Sequence, residues 1–300
     1  MTGRKDSEFI QAYTITTDFL VSGVGQLNYP RYPDIEGLEE FKGKIMHSAR
    51  WDWTYDLAGK RIGIIGNGAT AAQIIPEVVK VAKHVTVYQR TPSWVVFRQD
   101  AVVSSLWQAI YRWVPPVRWQ KRAILMAIRE SFHDTVTKQE SEMTTLAKTM
   151  HETALMKAFP DDPEMRKKLT PDYSPGCKRI ILSDDFFPAL AKPNCRLETR
   201  HISKITETGI EVEGGDGEEF DLIVLATGFK TVDFMHPIKM YGTNGRALSD
   251  VWKDGPRALY GIVVEDMPNF GMLYGPNTNL GYVCTSKDIW QNEMLISAGI

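Results

Sequence analysis

Between positions 60 and 89 the polarity pattern changes period twice. Ile62-Gly-Ile-Ile65 is a short, unbroken apolar run, the pattern of a strand buried on both faces. From Ala72 to Val81 the apolar positions return at helical spacing, and His84-Val-Thr-Val-Tyr-Gln89 then predicts a second strand. Residues 11–23 read as one or two strands; Gly23-Val-Gly25 follows, but Pro30 and Pro33 deny a helix there. Residues 101–158 are helical by pattern with a break at Pro115-Pro116, and Asp161 to Pro175 reads as a connection. Residues 195–229 divide into short strands around the turn Gly214-Gly-Asp-Gly217 and end in Phe220-Asp-Leu-Ile-Val-Leu225, a buried parallel strand. Strands alternating with helices predict an α/β fold of doubly wound, Rossmann type.

The join between the first strand and the first helix carries the first candidate chemistry. It reads Gly66-Asn67-Gly68-Ala69-Thr70-Ala71-Ala-Gln73. Gly66 permits a tight turn, Gly68 lets the backbone approach a pyrophosphate, and Ala71 keeps helix and strand close. Free N–H groups and the macrodipole at the helix start favour an anion. The second strand ends at Arg90, where an NAD site would place Asp or Glu; a guanidinium there suits a 2′-phosphate, so NADPH is the expected dinucleotide. Thr91 can add a contact to the same phosphate.

Composition narrows the class without naming the reaction. The 300 residues are 43% hydrophobic and 24% charged, as in a globular protein, and long enough for two domains. A net charge of -2 argues against a general nucleic-acid binder. Three cysteines and six histidines show no metal-ligand spacing, so no metal and no structural disulfide are expected, and a reducing compartment is. No signal peptide or bilayer-spanning run is seen, which points to the cytoplasm. One helical stretch sets Trp107, Trp113 and Trp119 among Arg112, Arg118, Lys121, Arg122 and Arg129. It reads either as a face that lies on a membrane or as an insert whose rings pack on the body, and the second is the expectation.

Ahead of the glycine turn stands Phe41-Lys-Gly43-Lys-Ile-Met-His47-Ser-Ala-Arg-Trp51-Asp52. With this stretch the chain resembles the Baeyer–Villiger monooxygenases, whose signature Phe-x-Gly-x-x-x-His-x-x-x-Trp-(Pro/Asp) it fills at every fixed position. Gln89-Arg90-Thr91-Pro92, Cys177-Lys178-Arg179 and Ala226-Thr227-Gly228-Phe229 resemble further segments of the same family. Pro268 to Gly281 is similar to the region these flavoproteins hold near their flavin, although Tyr282 stands where related sequences carry His.

The resemblance implies a two-dinucleotide-binding flavoprotein fold with NADPH and FAD as cofactors. Its expected parts are a remnant of the FAD domain (1–53), an NADPH domain in two pieces (54–98 and 177–229), a helical insertion (99–176) and a later part of the FAD domain (230–300). It implies insertion of one oxygen atom of O2 beside a ketone carbonyl, giving an ester or lactone, with a place in secondary metabolism. Lys178 maps to a second 2′-phosphate ligand and Arg179 to the catalytic arginine. If the segment is extended, these neighbours face opposite ways. His47 is expected to act by conformation rather than by proton transfer. Nothing upstream of Phe41 matches the family's FAD glycine motif, so the FAD half is expected to be incomplete. The competing expectation is a truncated relative that binds NADP at most or needs a partner to complete the flavin site.

Overall fold

The structure is a computed structural model, and it describes residues 14–98, 102–131, 141–231 and 233–278. In chain order the strands are β1 (Leu20–Ser22), β2 (Lys44–His47), β3 (Arg61–Ile65), β4 (His84–Tyr88), β5 (Val95–Val96), β6 (Ile181–Leu182), β7 (Cys195–Glu198), β8 (Ile202–Ile205), β9 (Gly209–Val212), β10 (Gly217–Glu219), β11 (Leu222–Leu225) and β12 (Phe270–Met272). The helices are α1 (Ala69–Val81), α2 (Ser105–Trp113), α3 (Pro115–Ser131), α4 (Glu142–Ala158), α5 (Pro163–Leu169), α6 (Phe186–Leu190) and α7 (Leu248–Val251). The described residues divide into two compact units, one from the segments up to 66 and from 201 to 278, the other from the segments between 67 and 200. The α/β class expected from the alternating pattern is what forms.

In the first unit β11 lies between β2 and β3, parallel to both, with Leu225 opposite His47 and Ile65. All four residues of β11 are buried, as are Ile62 to Ile65 of β3, so the unbroken apolar runs belong to strands covered on both faces. β8, β9 and β10 form an antiparallel meander whose last turn is the expected Gly214–Gly217 segment. β1 pairs in parallel with β12, and no helix follows it: Pro30 instead bridges to Phe229, as the two prolines require. A separate cluster of Met235, Leu248, Val251, Val264, Met267, Phe270 and Met272 forms the core of the later segment.

In the second unit β4 and β7 run parallel, Tyr88 opposite Glu198. α1 buries Ala71, Ala72, Ile75, Val78 and Val79 and packs on α6, despite Pro76 within it. α4 packs on β5, α5 and α6; Ser141 caps it by accepting the Thr144 N–H at 3.1 Å.

The structure corrects three local expectations. The connection at 161–175 contains a helix, because Asp162 accepts the Met165 N–H at 2.8 Å and Pro163 occupies the first helical position. Lys178 sits in a bend after Gly176, whose φ is +96°, and the strand begins only at Ile181, so strand alternation does not govern the Lys178–Arg179 pair. The rings of Trp107, Trp113 and Trp119 do not pack on the body: all three are exposed and α2 buries no residue at all. Gly281 and Tyr282 lie outside the described residues.

Candidate functional site

The parallel trio of the first unit delivers three of the sequence motifs to one edge. At the end of β2, His47 is buried, its Nδ1 accepting the Ala49 N–H at 3.1 Å, with the rings of Tyr32 and Phe229 at 5.6 and 5.9 Å. Burial is the main reason its pKa is lowered, with Arg50 adding to the effect and the backbone at Gly228 opposing it, so a neutral imidazole is the form the fold holds. At the end of β11, the Ala226 N–H donates to Ile65 O at 2.9 Å, Thr227 Oγ1 donates to Arg31 O, and Gly228 takes φ +80°. At the end of β3, Gly66 has φ +112°, and a Cβ there would stand 2.6 Å from Ala226 O. Backbone touches backbone at this point, which is why residue 66 is glycine.

The rest of the Phe41–Asp52 motif also has a structural account. The Phe41 ring is buried against Gly43, where a Cβ would meet it at 2.5 Å. Asp52 accepts from Lys44 Nζ at 2.7 Å and from Thr54, and the Lys44 hydrogen bond is the largest of the contacts that lower its pKa to about 2. Trp51 and Trp53 stand 6.3 Å apart.

The second unit holds the predicted phosphate ligands. α1 starts at Gly68 with no side-chain cap and no acidic residue in its first turn, and a Cβ at Gly68 would have nothing within 4 Å. The first N–H groups of an α-helix have no partner within the helix, and at this end none is taken by a capping side chain; Gln73 turns back on the Ala69 carbonyl at 2.9 Å. Asn67 Nδ2 donates to Gln89 Oε1 at 2.8 Å and to Thr91 O at 3.0 Å, tying the glycine turn to the end of β4. Arg90 follows, exposed and without a hydrogen-bond or ion-pair partner among the described residues. Lys178 is brought to the same segment through Tyr173: its Nζ lies 4.7 Å over the Tyr173 ring, whose hydroxyl donates to Pro92 O at 2.8 Å. Arg179 is exposed beside it, likewise without such a partner among the described residues.

Three residues matter here that sequence reasoning passed over. Gln89 is buried and joins three elements, because its Nε2 also donates to Lys168 O at 2.8 Å and its N–H to Glu198 O at 2.8 Å. Glu198 is buried at the end of β7. It accepts from the Thr199 and Arg200 N–H groups at 3.0 and 2.9 Å and from the Arg200 and Arg196 guanidiniums at 2.8 and 3.2 Å. The Arg200 side chain is the largest influence lowering its pKa, to about 2. Tyr173 is the third. The available signal for Gln89 was a polar residue following the mostly apolar strand β4; the short strand Cys195-Arg-Leu-Glu198 offered no such contrast.

A family model described as flavin-binding monooxygenase-like matches residues 2–239. The chain belongs to this family. It is 51% identical over 278 residues to the "FAD-binding monooxygenase ktnD" of Aspergillus niger, covering 93% of this chain and 46% of that protein. It is 41% identical over 268 residues to a protein of Streptomyces coelicolor named "Baeyer-Villiger monooxygenase", covering 89% and 51%. The chain thus spans about half the length of the curated relatives it matches. Among solved structures it is similar to the cyclohexanone monooxygenase of Rhodococcus sp. Phi1 bound to NADP+, with TM-score 0.73 and 26% identity over 94% of this chain and 60% of that one. It is also similar to OTEMO in complex with FAD and NADP, with TM-score 0.72 and 25% identity over 96% and 63%. The Baeyer–Villiger resemblance read from Phe41 to Asp52 is borne out by these family members, and so is the flavoprotein fold.

Proposed function

We propose that this chain works as an NADPH- and FAD-dependent monooxygenase of Baeyer–Villiger type, adding one oxygen atom of O2 beside the carbonyl of a small ketone. The observation that carries the reading is the bare start of α1: a glycine with open space over its Cβ position, no capping side chain, and a strand end bearing Arg90 close by. These residues fit a pyrophosphate on the helix N–H groups and a 2′-phosphate on Arg90, Thr91 and Lys178. FAD is inferred from the kinship with the FAD-binding monooxygenase of Aspergillus niger and with OTEMO in complex with FAD. The described residues of the first unit carry no second glycine turn opening an α-helix of the Rossmann kind.

When bound, NADPH supplies a hydride and FAD supplies the activation of dioxygen. The chain's own residues bind and stabilise. The α1 N-terminus holds the pyrophosphate, the two cations select the phosphorylated ribose, and Ala226–Gly228 offer small-residue backbone beside the glycine turn. Arg179 is assigned the catalytic role: a guanidinium stays charged at any working pH and stabilises an oxyanion without exchanging a proton. His47, buried and neutral, positions the edge formed by β2 and β11. We place the protein in the cytoplasm, where Cys177 and Cys195 remain as the free thiols they are; no helix among the described residues is long and apolar enough to cross a membrane. Its ketone belongs to secondary metabolism, as the kinship with fungal monooxygenases suggests.

The test supplies the purified chain with FAD, NADPH, oxygen and a panel of ketones. Product carrying one more oxygen than its ketone, formed with NADPH consumption, is the expected result. Arg179→Ala should cut product formation on the order of 100-fold while leaving NADPH binding in place. Ester formed at a near-normal rate by that variant would remove Arg179 from the mechanism.

A further inference from the structure

The strongest feature is the α2–α3 hairpin, and it stands independently of the oxygenation chemistry. Among the described elements, the substantial packing of each of these helices is on the other. Leu106 is 68% exposed, Trp107 48%, Trp113 77%, Trp119 64% and Met126 64%. Burial of large apolar side chains is the main favourable contribution to folding, so helices that leave this many uncovered have an apolar environment elsewhere to meet.

The arrangement of the two helices indicates what that environment is. At about 100° per residue, Leu106, Ile110 and Trp113 fall on one arc of α2, while Gln108 and Arg112 take the opposite one. On α3 the exposed cations Arg118, Lys121 and Arg122 fall within roughly 100° of each other. The Arg112 guanidinium lies 5.8 Å over the Trp113 ring, where a charged head meets an amphipathic ring. Over α2 and α3 the sequence carries five cations, Arg112, Arg118, Lys121, Arg122 and Arg129, against one carboxylate, Glu130, in a chain whose net charge is -2. Arg112, Arg118, Lys121 and Arg122 have no ion-pair partner among the described residues. An anionic lipid surface takes both features at once: tryptophan and leucine enter the headgroup–acyl boundary while arginine and lysine remain among the phosphates.

We propose that the α2–α3 hairpin docks this protein onto an anionic membrane surface, without spanning it. Such a surface is the cytoplasmic face of a cell membrane.

The test is co-sedimentation of the purified chain with vesicles of phosphatidylcholine alone and of phosphatidylcholine mixed with phosphatidylserine. Binding should be confined to the mixed vesicles and fall steeply with added salt. The charge reversal Arg118→Glu, Lys121→Glu, Arg122→Glu should weaken it on the order of 100-fold or more. Trp113→Ser with Trp119→Ser should weaken it at low and high salt alike. All these positions are exposed, so each variant should keep the wild-type circular dichroism spectrum. Equal binding to both kinds of vesicle, no binding to either, or full binding by the charge-reversed variant would overturn the proposal. A stable dimer that buries the tryptophans and ignores vesicles would also overturn it, assigning the face to a second copy of the chain.

Discussion

Gly66 and Gly68 stand two residues apart in the same turn, yet the structure asks different things of them. At Gly66 both the φ of +112° and the Ala226 carbonyl, 2.6 Å from a would-be Cβ, exclude any side chain. Gly66→Ala should therefore destabilise the fold by about 2–4 kcal/mol, read as a lowered urea midpoint. At Gly68 the φ is -74° and the space is open. Gly68→Ala should leave the midpoint within about 0.5 kcal/mol of wild type while weakening NADPH binding, since the added methyl occupies the approach of the pyrophosphate. A Gly68→Ala protein that binds NADPH normally would show that the phosphate lies elsewhere. The exposed cations follow the same logic. Arg90→Ala or Lys178→Ala should each cost about 1.5–3 kcal/mol of NADPH affinity, roughly 10- to 100-fold, and barely change that for NADH. Parallel titrations with the two cofactors separate a 2′-phosphate contact from general weakening.

At the scale of elements, what was legible in the sequence followed from local physics. A short unbroken run of mainly Ile, Val and Leu, bounded by glycine, favours a strand covered on both faces, so β3 and β11 were readable, as was a helix broken at Pro115. The Asp162–Pro163 start of α5 was equally local but lay hidden in a stretch rich in Lys and Asp. The tie between the glycine turn and β4 was not legible, because it joins Asn67 to a side chain 22 positions away. Nor was the fate of the tryptophans, since whether a ring finds cover depends on what the rest of the chain places opposite it. The Asn67–Gln89 pair carries its own prediction. Gln89→Leu leaves the Asn67 amide and the Lys168 carbonyl without their partner in a part-buried setting, and should cost about 1–3 kcal/mol. If Asn67 orients the turn, the variant should also lose NADPH affinity at a temperature where it is fully folded; unchanged affinity would make the pair purely structural.

For the molecule as a whole, two histidines buried among the described residues, one in each unit, make stability respond to acid. His151 is completely buried in α4, its Nδ1 3.1 Å from the backbone of Val95, with Trp94 and Phe187 edge-on at 4.8 and 5.5 Å. Burial lowers its pKa from 6.5 to about 4, outweighing the backbone groups of Val95 and Leu169 that favour the proton; His47 is shifted in the same direction. The unfolded chain takes up a proton at the His151 imidazole below about pH 6.5, whereas the folded chain does not until nearer pH 4, and His47 is held neutral in the same direction. Stability is therefore fully present above pH 6.5 and declines as the pH falls towards 4, by about 3 kcal/mol for His151 alone. The carboxylates Asp52 and Glu198, held near 2 by their cationic partners, lose their contribution in a lower window, as pH falls below about 4.5. The two windows can be separated by urea unfolding at pH 7.0 and pH 5.0. His151→Gln lowers the midpoint at pH 7 by disturbing the packing, but it should flatten the difference between the two pH values, because its side chain has no proton to gain. A variant that keeps the full wild-type loss between those pH values would move the acid sensitivity from the α4 core to His47 at the end of β2.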